Sequence, residues 1–279
     1  MKTWITVLLV TAIFSLSAQE ADTTWKKGGT IGVNFSQVQL KDWSGGGDNS
    51  LALNSLLSLY ANYFLEKTRW ENSLELGYGI VKQGSAGTRK SDDKIIFVSK
   101  YGRDFIGPWK YSALLDFRTQ FANGYDYGVP DSLRKPISKF MSPAAITLAL
   151  GANYRPNDMF SAMISPVTGK ATVVLDSRLS DAGAFGLDPG KKVLSEFGWF
   201  INCVYQTPVM KGIDFTSKLN LFSAYNKAKE IDVNWENLLL MKVNEYVSAS
   251  FTAQLVYDKD VVNKWQVKEV FAAGLLYKF

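Results

Sequence analysis

The chain contains no histidine, so it cannot build a Ser-His-Asp triad, a Cys-His pair or the usual histidine-containing zinc site. Most hydrolase chemistry is thereby excluded, and the residues predict a non-enzyme with no cofactor and no metal. A single cysteine, Cys203, leaves an exported chain without an internal disulfide framework. Beyond the N-terminus there is no apolar run of about 18 residues, so no transmembrane helix is expected. Formal charge is only +5 over 279 residues, and no Lys/Arg stripe marks a nucleic-acid surface.

What is abundant is aromatic, at 14%, together with 22 glycines. That suits a soluble β protein or a membrane β-barrel, whose lipid-facing residues alternate with polar ones and hide from hydropathy averages. The opening "MKTWITVLLVTAIFSLSAQE" has Lys2, an apolar run from Trp4 to about Leu16, and small residues up to Ala18. This is the layout of a secretory signal peptide over residues 1–18, with cleavage after Ala18, which predicts Sec export and a mature domain over 19–279. Removing one Lys and no acid takes the charge from +5 to +4.

Period-two alternation recurs through the rest. Val247, Ala249, Phe251, Ala253, Leu255 and Tyr257 interleave with Ser248, Ser250, Thr252 and Gln254. Tyr111, Ala113, Leu115 and Phe117 alternate with Ser112, Asp116 and Arg118, and Val233, Trp235 and Leu239 with Asp232, Asn234 and Glu236. Such segments number about twelve, near 29–40, 50–64, 69–82, 93–106, 109–123, 144–155, 159–174, 192–206, 212–226, 230–243, 246–258 and 265–279. Their phase is poor around Lys94–Ile106 and Met159–Val174, so ten or fourteen strands would also fit. At about ten residues or more, these strands match a tilted bilayer crossing better than the five or six usual in soluble sheets.

Link lengths add a second signal. "EKTR", "GPW", "RPND", "TPVMKG" and "NE" join even to odd segments, whereas odd-to-even links include "KDWSGGGDN", "QGSAGTRKSDD", "NGYDYGVPDSLRKPISKFM" and "SRLSDAGAFGLDPGK", only the last two of the six, near "NKAKE" and "KDVVN", being brief. Short periplasmic turns and longer external loops alternate in this way. Aromatic residues add a third: Trp25, Trp70, Trp109, Trp199, Trp235 and Trp265, with Tyr63, Tyr205, Tyr257 and Tyr277, fall near predicted strand ends, as girdle residues would. The expectation is an all-β fold, a closed antiparallel transmembrane β-barrel of about twelve strands with both termini periplasmic. A soluble sandwich or barrel is the alternative, its greasy faces turned inward.

Several stretches carry a family resemblance: "DWSGGGDNSLALNSLLSL" (42–59), "WENSLELGYGIVKQG" (70–84), "RKSDDKI" (89–95), "YSALLDFRTQF" (111–121), "SPVTGK" (165–170), "RLSDAGAFGLDPGKK" (178–192), "IDVNWENLLLMKVN" (231–244) and "KEVFAAGLLYKF" (268–279). They resemble an uncharacterised barrel family of the Bacteroidota, domain of unknown function 3078. The resemblance implies a location in the bacterial outer membrane and transfers no activity.

With greasy faces outward, the lumen would be lined by Glu71 and Glu75, by Asp116 and Arg118, by Lys218, and by Asp232 and Glu236. Two readings follow. Either these residues form a polar pathway for a small solute, or they are an ionic network that braces a narrow barrel, since charges out of water must be paired. The functional expectation is a passive pore or small-solute translocator. The alternatives are a plugged structural barrel that docks partners through its external loops, and a barrel-embedded enzyme that does without histidine.

The long links at 124–142 and 176–191 would then constrict the lumen, meet a partner, or be ordered turns. "SGGGDNS" (44–50) lacks the Gly-Lys-Ser/Thr ending of a phosphate loop and reads as a hairpin loop, and Cys203, on the outward phase, reads as a small apolar residue. The C-terminal strand places Phe271, Leu275, Tyr277 and Phe279 on one greasy face, and its ending resembles the aromatic-terminated signal read by the outer-membrane barrel assembly machinery. Expected partners are therefore outer-membrane lipid, that machinery and a small solute, with no nucleic acid.

Overall fold

The computed structural model describes residues 24–40 and 48–279. The expected signal peptide and most of the glycine-rich stretch after Trp43 lie outside the described residues. Twelve of the described strands close into one antiparallel barrel: β1 (Trp25–Val38), β2 (Ser50–Leu65), β3 (Thr68–Gln83), β4 (Thr88–Ile106), β5 (Trp109–Thr119), β8 (Ala144–Tyr154), β9 (Phe160–Val173), β10 (Val193–Met210), β11 (Ile213–Ala224), β12 (Asp232–Lys242), β13 (Val247–Asp258) and β14 (Val262–Lys278). A small ribbon of β6 (Gly124–Tyr125) and β7 (Pro136–Ser138) occupies the link between β5 and β8. A five-residue helix, α1 (Ser177–Asp181), opens the link between β9 and β10.

Register fixes which face each side chain takes. Along one row Trp235 lies opposite Leu219 and Leu255, and along the next Glu236 lies opposite Lys218 and Gln254. The first row faces out and the second faces in. Outward positions are exposed and apolar all round the wall, as at Leu53, Leu148, Ile164, Phe197, Phe251 and Phe271. At the short-turn end the outer aromatics touch one another: Trp25 with Tyr63 and Trp70, Trp109 with Tyr154, and Tyr277 with Phe279, at centroid separations of 5.1 to 6.1 Å. Trp265 and Tyr257 pair likewise at the other end. Trp199 and Trp235 instead lie within their strands, opposite Ser223 and Leu219.

Three segments depart from the sequence pattern. The expected loop "QGSAGTRKSDD" is mostly strand, because β3 and β4 keep pairing through Ile80–Lys90 and Lys82–Thr88 and leave only residues 84–87 as the link. Its residues are polar on both faces, so alternation vanishes while the backbone ladder continues. Between Lys94 and Ile106 the phase fades for a different reason. Inward-facing Val98 packs against a buried cluster of Leu114, Ala149, Met163, Phe200, Phe222 and Ala224, which makes both faces apolar. In β9 the register slips between Leu150 and Ala152 of the partner strand, at Ser165–Pro166. Pro166 cannot donate to a ladder, and Ser165 Oγ accordingly serves the bulge, donating to Leu150 O at 2.7 Å.

Closure is made by the last strand against the first. Thr30–Asn34 pair with Lys278–Gly274, and Gly29 and Phe279 exchange two backbone bonds of 2.8 and 3.0 Å. This seam is short. Every other neighbouring pair in the barrel matches ten residues or more, yet here the ladder stops at Asn34 and Gly274. Past that point, among the described residues, one side-chain bond crosses from β14 to the β4 side, Lys268 Nζ to Asp92 Oδ1 at 2.5 Å.

Candidate functional site: a charged chamber in the lumen

The inner face encloses a chamber of about 810 Å³ on the short-turn side of the barrel. Glu71 and Glu75 enter it from β3, Asp116 and Arg118 from β5, Lys218 from β11 and Glu236 from β12. These six of the seven sequence-predicted lining residues share one space. Asp232, the seventh, lies toward the long loops, where Lys170 Nζ bonds it and also approaches Asp258 at 3.4 Å and Glu196 at 3.8 Å. Only about 10 Å³ of space remains beside that cluster.

At the inner end of the chamber, charge is matched. Arg118 grips Asp116 with two bonds, Nε to Oδ1 at 2.8 Å and Nη2 to Oδ2 at 2.7 Å. Lys94 bonds Glu75, and Lys218 stands across from Glu236. The buried apolar cluster adjoins this level through Leu114, so side chains fill much of the lumen there.

Toward the short turns the lining changes. Arg155 Nη1 lies 2.9 Å from Glu71 Oε1, and Arg69 Nη1 lies 3.5 Å from the same oxygen. Both arginines also reach Asp158, whose side chain is 89% exposed. Lys100 is different. Its ammonium donates to Asn153 Oδ1 at 2.8 Å, Ser161 Oγ at 3.3 Å and Asn202 Oδ1 at 3.4 Å, all neutral acceptors. Composition and alternation pointed to the carboxylates but missed Lys100, because its strand neighbours Ile96 and Val98 break the inward polar pattern.

The long-loop end is tied by side chains outside the barrel wall. Asp176 caps α1 by accepting from Leu179 N at 3.0 Å and also accepts from Lys139 Nζ at 2.5 Å. These bonds, Lys139's first, hold its carboxyl below the usual range. Lys227 donates to Asp260 at 2.8 Å, and that bond, helped by Glu196, holds the ammonium above the usual lysine range. Beneath lies a second apolar cluster of Val174, Leu179 and Leu187, with Phe185 packed against it. Among the described residues, no group of three Cys, Asp or Glu side chains is placed to hold a metal ion.

Residues 35–125 match the model of a family described as a protein of unknown function (DUF3078), about a third of the chain. No curated protein matches. Among solved structures, the chain is similar to an outer membrane channel from Pseudomonas putida F1, at 11% identity and TM-score 0.40, covering 90% of this chain and 94% of that one. It is also similar to the translocator domain of the autotransporter NalP from Neisseria meningitidis, at 11% identity and TM-score 0.38, covering 99% and 95%. A third is the NanC porin, at 8% identity and TM-score 0.41, covering 89% and 98%. At these values no residue role passes from them to this chain.

Proposed function

We propose that the chain is an outer-membrane β-barrel of the Bacteroidota type, Sec-exported behind residues 1–18, that acts as a passive pore for small polar solutes. The observation that carries this is the chamber of about 810 Å³ lined by charges of both signs within a closed wall. Membrane placement is supported by the outward apolar band. A belt such as Leu148, Leu150, Ile164, Phe197 and Phe271, each more than half exposed, far exceeds the apolar patches of a soluble monomer. Lipid covers it at no cost. A polar lumen inside an apolar wall whose strands hydrogen-bond around a closed circuit is the arrangement that crosses hydrocarbon. Insertion would use the assembly machinery, with Phe271, Leu275, Tyr277 and Phe279 as its signal.

A second reading has its own observation. Lys170, Asp232, Asp258 and Glu196 crowd the long-loop end of the lumen, which favours a plugged barrel that docks partners outside. Planar-bilayer recording separates the two. The pore predicts discrete small conductance steps from purified protein. Neither steps nor uptake of small solutes into loaded vesicles would leave the docking reading standing.

A further inference from the structure

We propose that the outer half of the chamber is a binding site for small carboxylate- or phosphate-bearing solutes, with Lys100 as its anchor. The inference rests on the chamber being reachable by solute, as in the pore reading. Its first support is a charge count. Around the short-turn half stand four cations, Lys26, Arg69, Lys100 and Arg155, against two carboxylates, Glu71 and Asp158. One of those carboxylates is of little use inside, because Asp158 is 89% exposed to solvent. The inner half is balanced, with Lys94, Arg118 and Lys218 matched by Glu75, Asp116 and Glu236. The excess of two positive charges is therefore local and faces the approach from the short turns.

The second support is how Lys100 is held. An ammonium in a low-dielectric wall is ordinarily matched by a carboxylate, because an unmatched charge is expensive to bury. Here Glu71, the chamber carboxylate directly opposite Lys100 on β3, is engaged by both Arg69 and Arg155. Lys100 is left to two amide oxygens and a hydroxyl, which orient its charge without cancelling it. Asn202 is itself held in place, its Nδ2 donating to Asn220 Oδ1 at 2.8 Å, so the cradle around the ammonium is fixed. An incoming carboxylate would gain the charge-assisted bonds that the wall withholds.

The entrance favours the same sign. Phe64 carries Arg69 over its ring at 4.6 Å and Lys26 at 5.9 Å, so both cations are held at the rim. Fixed positive charge along low-dielectric walls concentrates anions.

The test uses the full mature chain in detergent micelles, so it does not depend on conduction. Isothermal titration with sodium gluconate, and separately with inorganic phosphate, should give saturable binding to wild type and none with choline chloride. Lys100→Met should weaken gluconate about tenfold, the scale of one charge-assisted bond. Heat-modifiable gel migration checks that this variant is folded. If it is not, Lys26→Gln at the exposed rim takes its place, with a smaller weakening that grows at low salt. No binding of either anion, equal binding of choline, or an unchanged gluconate affinity in a folded Lys100→Met would each overturn the assignment. A barrel that binds gluconate without conducting fails only the pore reading, and one that conducts without binding fails only this one.

Discussion

Asp116 is 8% exposed and bound twice by Arg118 two residues along the same strand. Removing it leaves the Arg118 guanidinium, 28% exposed, without the carboxylate that grips it. Asp116→Ala should therefore cost roughly 3–5 kcal/mol, as for other broken buried pairs. The double variant Asp116→Ala with Arg118→Met should recover part of that loss. Urea midpoints in micelles, read by tryptophan fluorescence, check both, and equal losses in the single and double variants would contradict the pairing argument. A different residue-level constraint operates at Gly274, where an added Cβ would lie 2.3 Å from Val33 O across the seam. Backbone oxygen cannot swing aside as a side chain would. Gly274→Val should prevent closure, visible as loss of heat-modifiable migration.

At the scale of elements, the cap over the long-loop end depends on two titrating groups with opposite signs. Asp176 has a depressed pKa, so its contribution is present above the ordinary carboxylate value and is lost as pH falls through the lowered one. Lys227 has a raised pKa, so its contribution is complete below the ordinary lysine value and is lost as pH rises through the raised one. The cap should hold from about pH 4 to about pH 10 and loosen outside it. A spin label at Asp188→Cys, with Cys203→Ser, should stay immobile across that window, and mobility appearing near neutrality would refute the scheme. Strands such as β13 were readable in the sequence because one face is greasy and the other polar. Others were not. β4 hides behind inward Val98, its outer turn behind residues polar on both faces, and β9 behind a bulge, each a case where period two fails although the backbone ladder does not. Phe279 was legible for a simpler reason: it continues the greasy alternation of Phe271, Leu275 and Tyr277, and it bonds Gly29 in both directions. Deleting it should lower the amount of assembled barrel in the membrane, measured by surface protease protection, while any assembled fraction keeps its lumen properties.

For the whole molecule, the twelve-stranded wall and its inside-outside sense followed from repeated weak signals, each strand's phase adding to the last. The site was legible only in part. Carboxylates and Arg118 on polar strand faces announced themselves, but Lys100 derives its character from Asn153, Ser161 and Asn202 on three other strands, which no spacing in sequence brings together. The segregation of charge, balanced within and positive toward the short turns, is likewise a property of the closed cylinder and of no single strand.

The short join between β1 and β14 gives that cylinder a direction around its circumference. Beyond Asn34 and Gly274, backbone groups of Phe35–Val38 and Val270–Ala273 have no partner across the join among the described residues, while Phe35 and Phe271 beside them are 57% and 69% exposed. Hydrocarbon cannot solvate such groups, which each cost several kcal/mol if left bare. In a bilayer, water and lipid headgroups would therefore be drawn down this flank as along a wick, thinning the membrane on one side of the protein. Amide exchange in lipid nanodiscs would register it, with Phe35–Val38 exchanging far faster than Leu53–Leu57 one strand away. Equal protection in the two segments would mean that the flank is dry.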